Sequence, residues 1–158
     1  MAHLVHHLLR DSAARHPARV AVRFKDQART YAELDAEADR LAALLAAHGV
    51  RRGDRVGIYL HKSLESVASV FGILRAGAAY VPLDPGSPPR RIAFIVQNCA
   101  MRALVTTRAK LDGLRAAAPA GLPPTLVLAD GAEAGAVAWT PWRGGAVPAP
   151  AGDGIDAD

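Results

Sequence analysis

Leu74-Arg75-Ala76-Gly77-Ala78-Ala79-Tyr80-Val81-Pro82-Leu83-Asp84-Pro85 joins two periodicities, and the join decides the fold. Upstream of it, Leu64, Val67, Ala68, Phe71 and Leu74 fall at helical spacing behind Ser63, a residue type that caps helix starts. Gly77 supplies the left-handed exit from that helix. Ala78-Ala79-Tyr80-Val81 then reads as a short strand that Pro82 stops. A helix passing into a strand across one glycine is half of a β-α-β unit, and Arg55-Val56-Gly57-Ile58-Tyr59-Leu60 provides the preceding, mostly apolar strand.

The same alternation continues on both sides. Toward the N-terminus, Leu4, Val5, Leu8 and Leu9 predict a short amphipathic helix that ends at His16-Pro17, because a proline disfavours helix at the residue before it. Val20, Val22 and Phe24 alternate with Ala21 and Arg23, and Lys25-Asp26-Gln27 turns the chain toward Arg29 and Thr30, which predicts a small hairpin. Thr30-Tyr31-Ala32-Glu33 is a capping box worth about 1 kcal/mol, so a second helix starts near Tyr31. Leu34, Ala38, Leu41 and Leu45 give that helix one apolar stripe, and Gly49 ends it. Toward the C-terminus, Ser87-Pro88-Pro89 places a cap and a first-turn proline before Ile92, Ile95, Val96 and Cys99. Ala103-Leu104-Val105-Thr106 is a buried strand, Thr107 caps a helix through Leu114, and Thr125-Leu126-Val127-Leu128 closes the series.

Strands alternating with helices over short connections form right-handed crossovers, so the fold class is α/β, a mostly parallel sheet with helices on both faces and a short N-terminal hairpin. Residues 1–128 are read as this domain. From Ala129 the pattern gives way to Gly, Ala and Pro with acids, and residues 129–158 are read as a linker or tail. Trp139 and Trp142 flank Pro141 there. Two readings stay open for them, a latch docked on the body and, the preferred one, an irregular segment with partly exposed rings.

The chain has 158 residues, 51% of them hydrophobic and 22% charged, enough for one sizeable core. No apolar run approaches the ~20 residues that span a bilayer, and the N-terminus lacks the layout of a secretory signal, so a cytoplasmic protein without a membrane partner is expected. Cys99, the single cysteine, has no internal disulfide partner and reads as a buried, inert thiol among Ile95, Val96 and Ala100. The net charge of +4 divides unevenly: residues 129–158 hold one arginine and five acids, while residues 1–128 hold 18 basic and 10 acidic side chains, a net of +8. The arginines are scattered in pairs such as Arg51-Arg52 and Arg90-Arg91 without interleaved aromatics, and aromatic content is 5%, which argues against nucleic-acid binding.

Motifs that carry chemistry are absent from the sequence. His3, His6 and His7 have i, i+3, i+4 spacing but no cysteine or carboxylate nearby to complete a metal site, and they read as a solvated face. There is no Gly-x-Ser-x-Gly elbow, and Cys99 has no local base, so covalent catalysis is not expected. Neither Gly-x-x-x-x-Gly-Lys-Ser/Thr nor Gly-x-Gly-x-x-Gly occurs; Gly72, Gly77 and Gly86 are isolated and read as packing, capping and turn residues. Asp84 follows a strand end, where α/β proteins place ligands, yet Leu83-Asp84-Pro85 is better read as a turn initiator. No catalytic, cofactor-binding or metal residue is assigned.

Beyond their periodicity, three stretches resemble a known family. Thr30-Tyr31-Ala32-Glu33-Leu34 with the following Ala38…Leu41-Ala42 helix, and Leu74 through Pro85, resemble the first two core motifs of the AMP-forming adenylating enzymes, the superfamily of acyl-CoA synthetases, luciferases and nonribosomal peptide synthetase adenylation domains. Gly49-Val50-Arg51-Arg52-Gly53-Asp54-Arg55-Val56 resembles the connection between them, and Arg29-Thr30-Tyr31 with the opening helix resembles the family's first segment. The likeness runs from residue 4 to about residue 110 and places the chain in the N-terminal subdomain. The Pro-Leu-Asp-Pro spelling at Pro82–Pro85 leans toward the peptide-synthetase relatives.

What the resemblance implies is a ligase reaction in which a carboxylate and ATP, with Mg²⁺, give an acyl-adenylate, and the acyl group passes to the thiol of CoA or a carrier protein. The family's phosphate loop with its lysine, Tyr-Gly-x-Thr-Glu segment, ribose-binding aspartate and C-terminal catalytic lysine have no counterpart in these 158 residues. The expectation is therefore an N-terminal fragment, inactive alone and completed by the remainder of the enzyme in cis or in trans. The alternative is a non-catalytic remnant or interaction module on the same scaffold.

Overall fold

The structure, a computed structural model, describes residues 4–139. Five helices, α1 (Val5–Arg15), α2 (Tyr31–Ala47), α3 (Leu64–Arg75), α4 (Pro89–Asn98) and α5 (Arg108–Ala117), alternate with seven strands among these residues. The strands are β1 (Val20–Phe24), β2 (Gln27–Thr30), β3 (Arg55–Tyr59), β4 (Ala79–Pro82), β5 (Ala103–Thr106), β6 (Thr125–Leu128) and β7 (Val137–Ala138). β1 and β2 form the antiparallel hairpin, and the other five form one parallel sheet in the order β4-β3-β5-β6-β7.

Strands buried on both faces divide their side chains by parity. Val56 and Ile58 of β3, Ala103 and Val105 of β5 and Val127 of β6 join a core with α1, α2 and α3; Tyr59, Leu104, Leu126 and Leu128 join a second core with α4 and α5. A Cβ on Gly57 would lie 2.7 Å from Leu104 Cδ1 and 2.8 Å from Met101 Sδ, so β3 needs a glycine where the second core presses on it.

Helix starts and stops follow the sequence where the cap is local. Thr30 Oγ1 accepts from the Glu33 N–H and Glu33 Oε2 accepts from the Thr30 N–H, and Ser63 and Ser66 repeat the arrangement at α3. Gly49 and Gly77 have φ of 81° and 74° and close Schellman motifs: Val50 N–H donates to the Leu45 carbonyl and Ala78 N–H to that of Ile73. α4 ends the same way with Ala100 at φ 46°, as Met101 N–H donates to the Val96 carbonyl.

Other expectations are corrected. Ser87 does not cap α4: its hydroxyl donates to Asp84 Oδ2 at 3.1 Å, and Pro88 stands at the cap position. Thr107 occupies the cap position of α5 without a side-chain bond, and the Asp130 carboxylate takes the Arg108 N–H instead, at 2.9 Å. β4 ends at Pro82, which is its last residue and not the first one beyond it. Pro82 pairs with Ile58, and because the Ala79 and Leu83 N–H groups face β3, the nitrogen of Pro82 faces the open edge, where no donor is needed. α1 buries Leu9 and His6 and leaves Val5 and Leu8 exposed, and Cys99 is half-buried at the end of α4. The sheet also continues past Leu128: a turn over Glu133–Ala136 returns the chain to β6 as β7, and Trp139 is 2% exposed in the first core. Trp139 is thus docked, while Trp142 lies outside the described residues.

Two arginines fix the helices of the first face through three ion pairs. Arg75, buried at the end of α3, donates to the Asp35 carbonyl at 2.9 Å and to Asp39 Oδ1 at 2.6 Å, and also pairs with the Asp35 carboxylate, which ties α3 to α2. Arg29 Nε donates to Glu37 Oε1 at 2.7 Å and ties the hairpin to α2. Glu37 is 1% exposed, and its burial raises its pKa against the opposing hydrogen bond and charge of Arg29. Burial likewise raises that of Asp39, against Arg75.

Candidate functional site

The strand order reverses between β3 and β5. From β3 the chain crosses by α3 to β4 on one side, then by α4 to β5 on the other, and α3 and α4 lie on opposite faces. Open α/β sheets hold ligands at the carboxyl ends of the strands at such a switch point. Here that position is a crevice of about 280 Å³ lined by Leu60, His61, Ser63, Glu65, Thr107 and Asp130, residues that follow β3, β5 and β6. A second groove of about 380 Å³ lies beside it at the ends of β3 and β4, apolar at Ile58, Val70, Tyr80 and Pro82, with Lys62 and Asp84 among its polar residues.

Several polar groups at this edge are engaged in holding the fold. Ser63 and Ser66 complete the cap of α3, and Asp130 caps α5. Asp84 accepts from the Gly86 N–H at 2.9 Å and from the Ser87 hydroxyl, which holds its carboxyl below the usual range. It is the turn initiator the sequence indicated. Lys110 Nζ donates to the Pro85 carbonyl at 3.0 Å and sits 4.6 Å from the centroid of the Tyr59 ring, so its charge is committed to holding α5 against the β4–α4 turn. Burial, with the Asp84 charge, raises the pKa of Tyr59.

A nucleotide triphosphate with Mg²⁺ needs free amides and a cation aimed at its phosphates. The crevice offers capped helix starts and two carboxylates, Glu65 and Asp130, whose field repels phosphate. The residues lining the crevice include no lysine or arginine to meet the phosphates. The histidines do not form a solvated face as expected: His6 is buried, with its ring centroid 4.6 Å from that of His7 in an edge contact, and His3 lies outside the described residues. Among the described residues no group of three His, Cys, Asp or Glu is placed to hold a metal ion, and no helix is long and apolar enough to cross a membrane.

A doubly wound parallel sheet preceded by a hairpin and a capped helix defines an α/β scaffold with a groove at the carboxyl edge of its sheet. The comparisons name the enzyme class. The AMP-binding enzyme family matches residues 9–151, and the chain belongs to that family. Surfactin synthase subunit 1 of Bacillus subtilis (strain 168) is 41% identical over 129 residues, 82% of this chain and 3% of that one. The VinN structure with 3-methylaspartate is 28% identical with a TM-score of 0.71, covering 85% of this chain and 34% of that chain. The anthranilate CoA ligase AuaEII shares the fold at a TM-score of 0.80 and 23% identity, covering 87% of this chain and 27% of that one. The chain therefore spans about a third or less of these relatives, and its α/β subdomain matches their N-terminal subdomains.

Proposed function

We propose that this chain is the N-terminal scaffold of a carboxylate-activating unit of the peptide-synthetase type, in which a carboxylate and ATP form an acyl-adenylate that is passed to a thiol. The observation that carries the reading is the 41% identity to surfactin synthase subunit 1 over 82% of this chain. The capping box at Thr30–Glu33 and the Asp84 turn within Leu74–Pro85 support it, the first holding both of its hydrogen bonds and the second the Gly86 N–H on the Asp84 carboxylate. The amino acid bound to VinN makes an amino acid the favoured substrate class. ATP and Mg²⁺ are the expected cofactors of the complete unit, a carrier protein or CoA the acceptor, and the cytoplasm the location. The role of these residues is to position: α2 and α3, pinned by Arg75, back the sheet whose carboxyl edge the rest of the unit meets.

The 158 residues by themselves are proposed to carry no adenylation activity. The test has two arms read by ATP–pyrophosphate exchange. The purified chain should show no exchange above background. A chimera in which these residues replace the aligned segment of surfactin synthase subunit 1 should retain amino-acid-dependent exchange. Exchange by the isolated chain, or a folded chimera without exchange, would overturn the reading.

A further inference from the structure

At the amino edge of the sheet, opposite the crevice, folding gathers arginines that the sequence scatters. Arg51 and Arg52 open the loop between α2 and β3, and Arg55 starts β3. Arg102, distant in sequence, is brought alongside by the parallel pairing of β3 with β5, its N–H donating to the Arg55 carbonyl at 2.8 Å. Its Nη2 lies 3.1 Å from the place a Cβ on Gly49 would take, so this guanidinium sits over the end of α2, next to the loop that carries Arg51 and Arg52. All four side chains are exposed.

Part of this charge has a structural use. α2, α3 and α4 end at this edge, and each helix C-terminus carries roughly half a negative charge. Arg55 Nη1 donates to the Cys99 carbonyl at the end of α4, at 3.0 Å. That occupies one of the five donors of its guanidinium. Elsewhere Arg29, Arg75, Arg108 and Arg115 each meet a carboxylate, whereas Arg51, Arg52, Arg55 and Arg102 form no ion pair among the described residues. Asp54, the acid within the loop, accepts from the Arg51 N–H through Oδ2 at 2.8 Å and leaves the Arg51 guanidinium free of it. Gly53, at φ 86°, has open space where a Cβ would be, so the loop projects into solvent.

We propose that this amino edge, Arg51, Arg52, Arg55 and Arg102, is a docking surface for a carboxylate-rich segment of a partner protein. Guanidinium forks match carboxylates bidentately, and four exposed ones gathered at one edge suit a ligand that carries several carboxylates. The spread over a loop and two strand starts suits an extended acidic segment better than one small anion. Residues 48–55 and 98–103 contain no Phe, Tyr or Trp, so the surface lacks the large rings on which successive bases stack. The surface does not depend on the adenylating reading, and its test does not use it.

The full 158-residue chain is titrated against a fluorescent poly-L-glutamate peptide and, separately, an oligothymidylate, by anisotropy at low and at high salt. Binding of the glutamate peptide that weakens with salt is expected. Arg51→Ser with Arg52→Ser should weaken it about tenfold, and Arg19→Ser with Arg23→Ser, an equal change in net charge at exposed positions of another face, by no more than about twofold. The replaced side chains make no bond that holds the fold, and circular dichroism checks this. Absence of binding, salt-insensitive binding, or equal loss in the two variants overturns the proposal. Tighter binding of the oligothymidylate, lost in the Arg51/Arg52 variant, replaces the acidic protein with a nucleic acid.

Discussion

Gly72 of α3 lies against Leu41 of α2 so closely that a Cβ on the glycine would stand 2.8 Å from Leu41 Cβ and 3.0 Å from the Ala38 carbonyl oxygen. Neither contact is the free end of a flexible side chain, so an added methyl must push the helices apart. Arg75, one turn further along α3, holds the same two helices together through Asp35 and Asp39. Gly72→Ala gains about 1 kcal/mol in helix propensity and loses more to overpacking, for a net destabilisation of about 1–2 kcal/mol. Gly113→Ala in α5 is the control: its Cβ would meet Pro89 Cγ at an ordinary 3.5 Å, and it should stabilise by about 0.5–1 kcal/mol. Urea denaturation of both variants reads the signs, and a stabilising Gly72→Ala would refute the close packing.

Ala100 holds a position that glycine holds at Gly49 and Gly77. All three close a Schellman motif, but the alanine does so at φ 46°, where its Cβ is strained against the following carbonyl. Ala100→Gly should raise stability by about 0.5–1 kcal/mol, since relief of strain exceeds the entropy a glycine adds to the unfolded chain. An unchanged or lowered denaturation midpoint would show that α4 ends without that strain.

Glu37 makes stability depend on pH. Burial raises its folded pKa above the ordinary 4.5, against the opposing Arg29 hydrogen bond. Below the ordinary value both folded and unfolded chains hold the proton, and the contribution of this group to stability is complete. As pH rises from 4.5 through the raised folded value the unfolded chain loses the proton first, and that contribution is lost. Glu37→Gln, which keeps an oxygen for Arg29 Nε, removes the dependence, so its stability relative to the natural chain should climb over that window. A difference that stays flat from pH 4 to pH 8 counts against a raised Glu37.

How far the sequence can be read depends on how local each determinant is. Thr30 and Glu33 are three residues apart, and the capping box they form was legible in spelling alone, as were the Gly49 and Gly77 exits and the alternation that makes the sheet parallel. β7 was not legible: two residues, Val137 and Ala138, in a Gly- and Ala-rich stretch carry no period, and only pairing with β6 and burial of Trp139 hold them. Pro82 ends β4 from within the strand, since its lack of a donor matters only on the side facing a neighbour, and β4 is an edge. The carboxyl-edge crevice was legible only as strand ends. Its lining joins residues after β3, β5 and β6, which no local pattern connects.

The start of α5 separates a cap read from spelling from one made by the fold. Thr107 has the residue type and the place, but its side chain makes no capping bond; the Arg108 N–H goes to both oxygens of Asp130, at 2.9 and 3.2 Å, and Arg108 Nη2 reaches the Ala132 carbonyl at 2.7 Å. Asp130 follows β6, so its bond joins the end of one strand to the helix after another, and its negative charge also favours the positive end of α5. Asp130→Ala should cost about 1 kcal/mol and Thr107→Ala much less, the reverse of what spelling predicts. Hydrogen exchange at the first turn of α5 should quicken in the Asp130 variant alone. Equal costs, or a larger one at Thr107, would return the cap to the threonine and detach α5 from the end of β6.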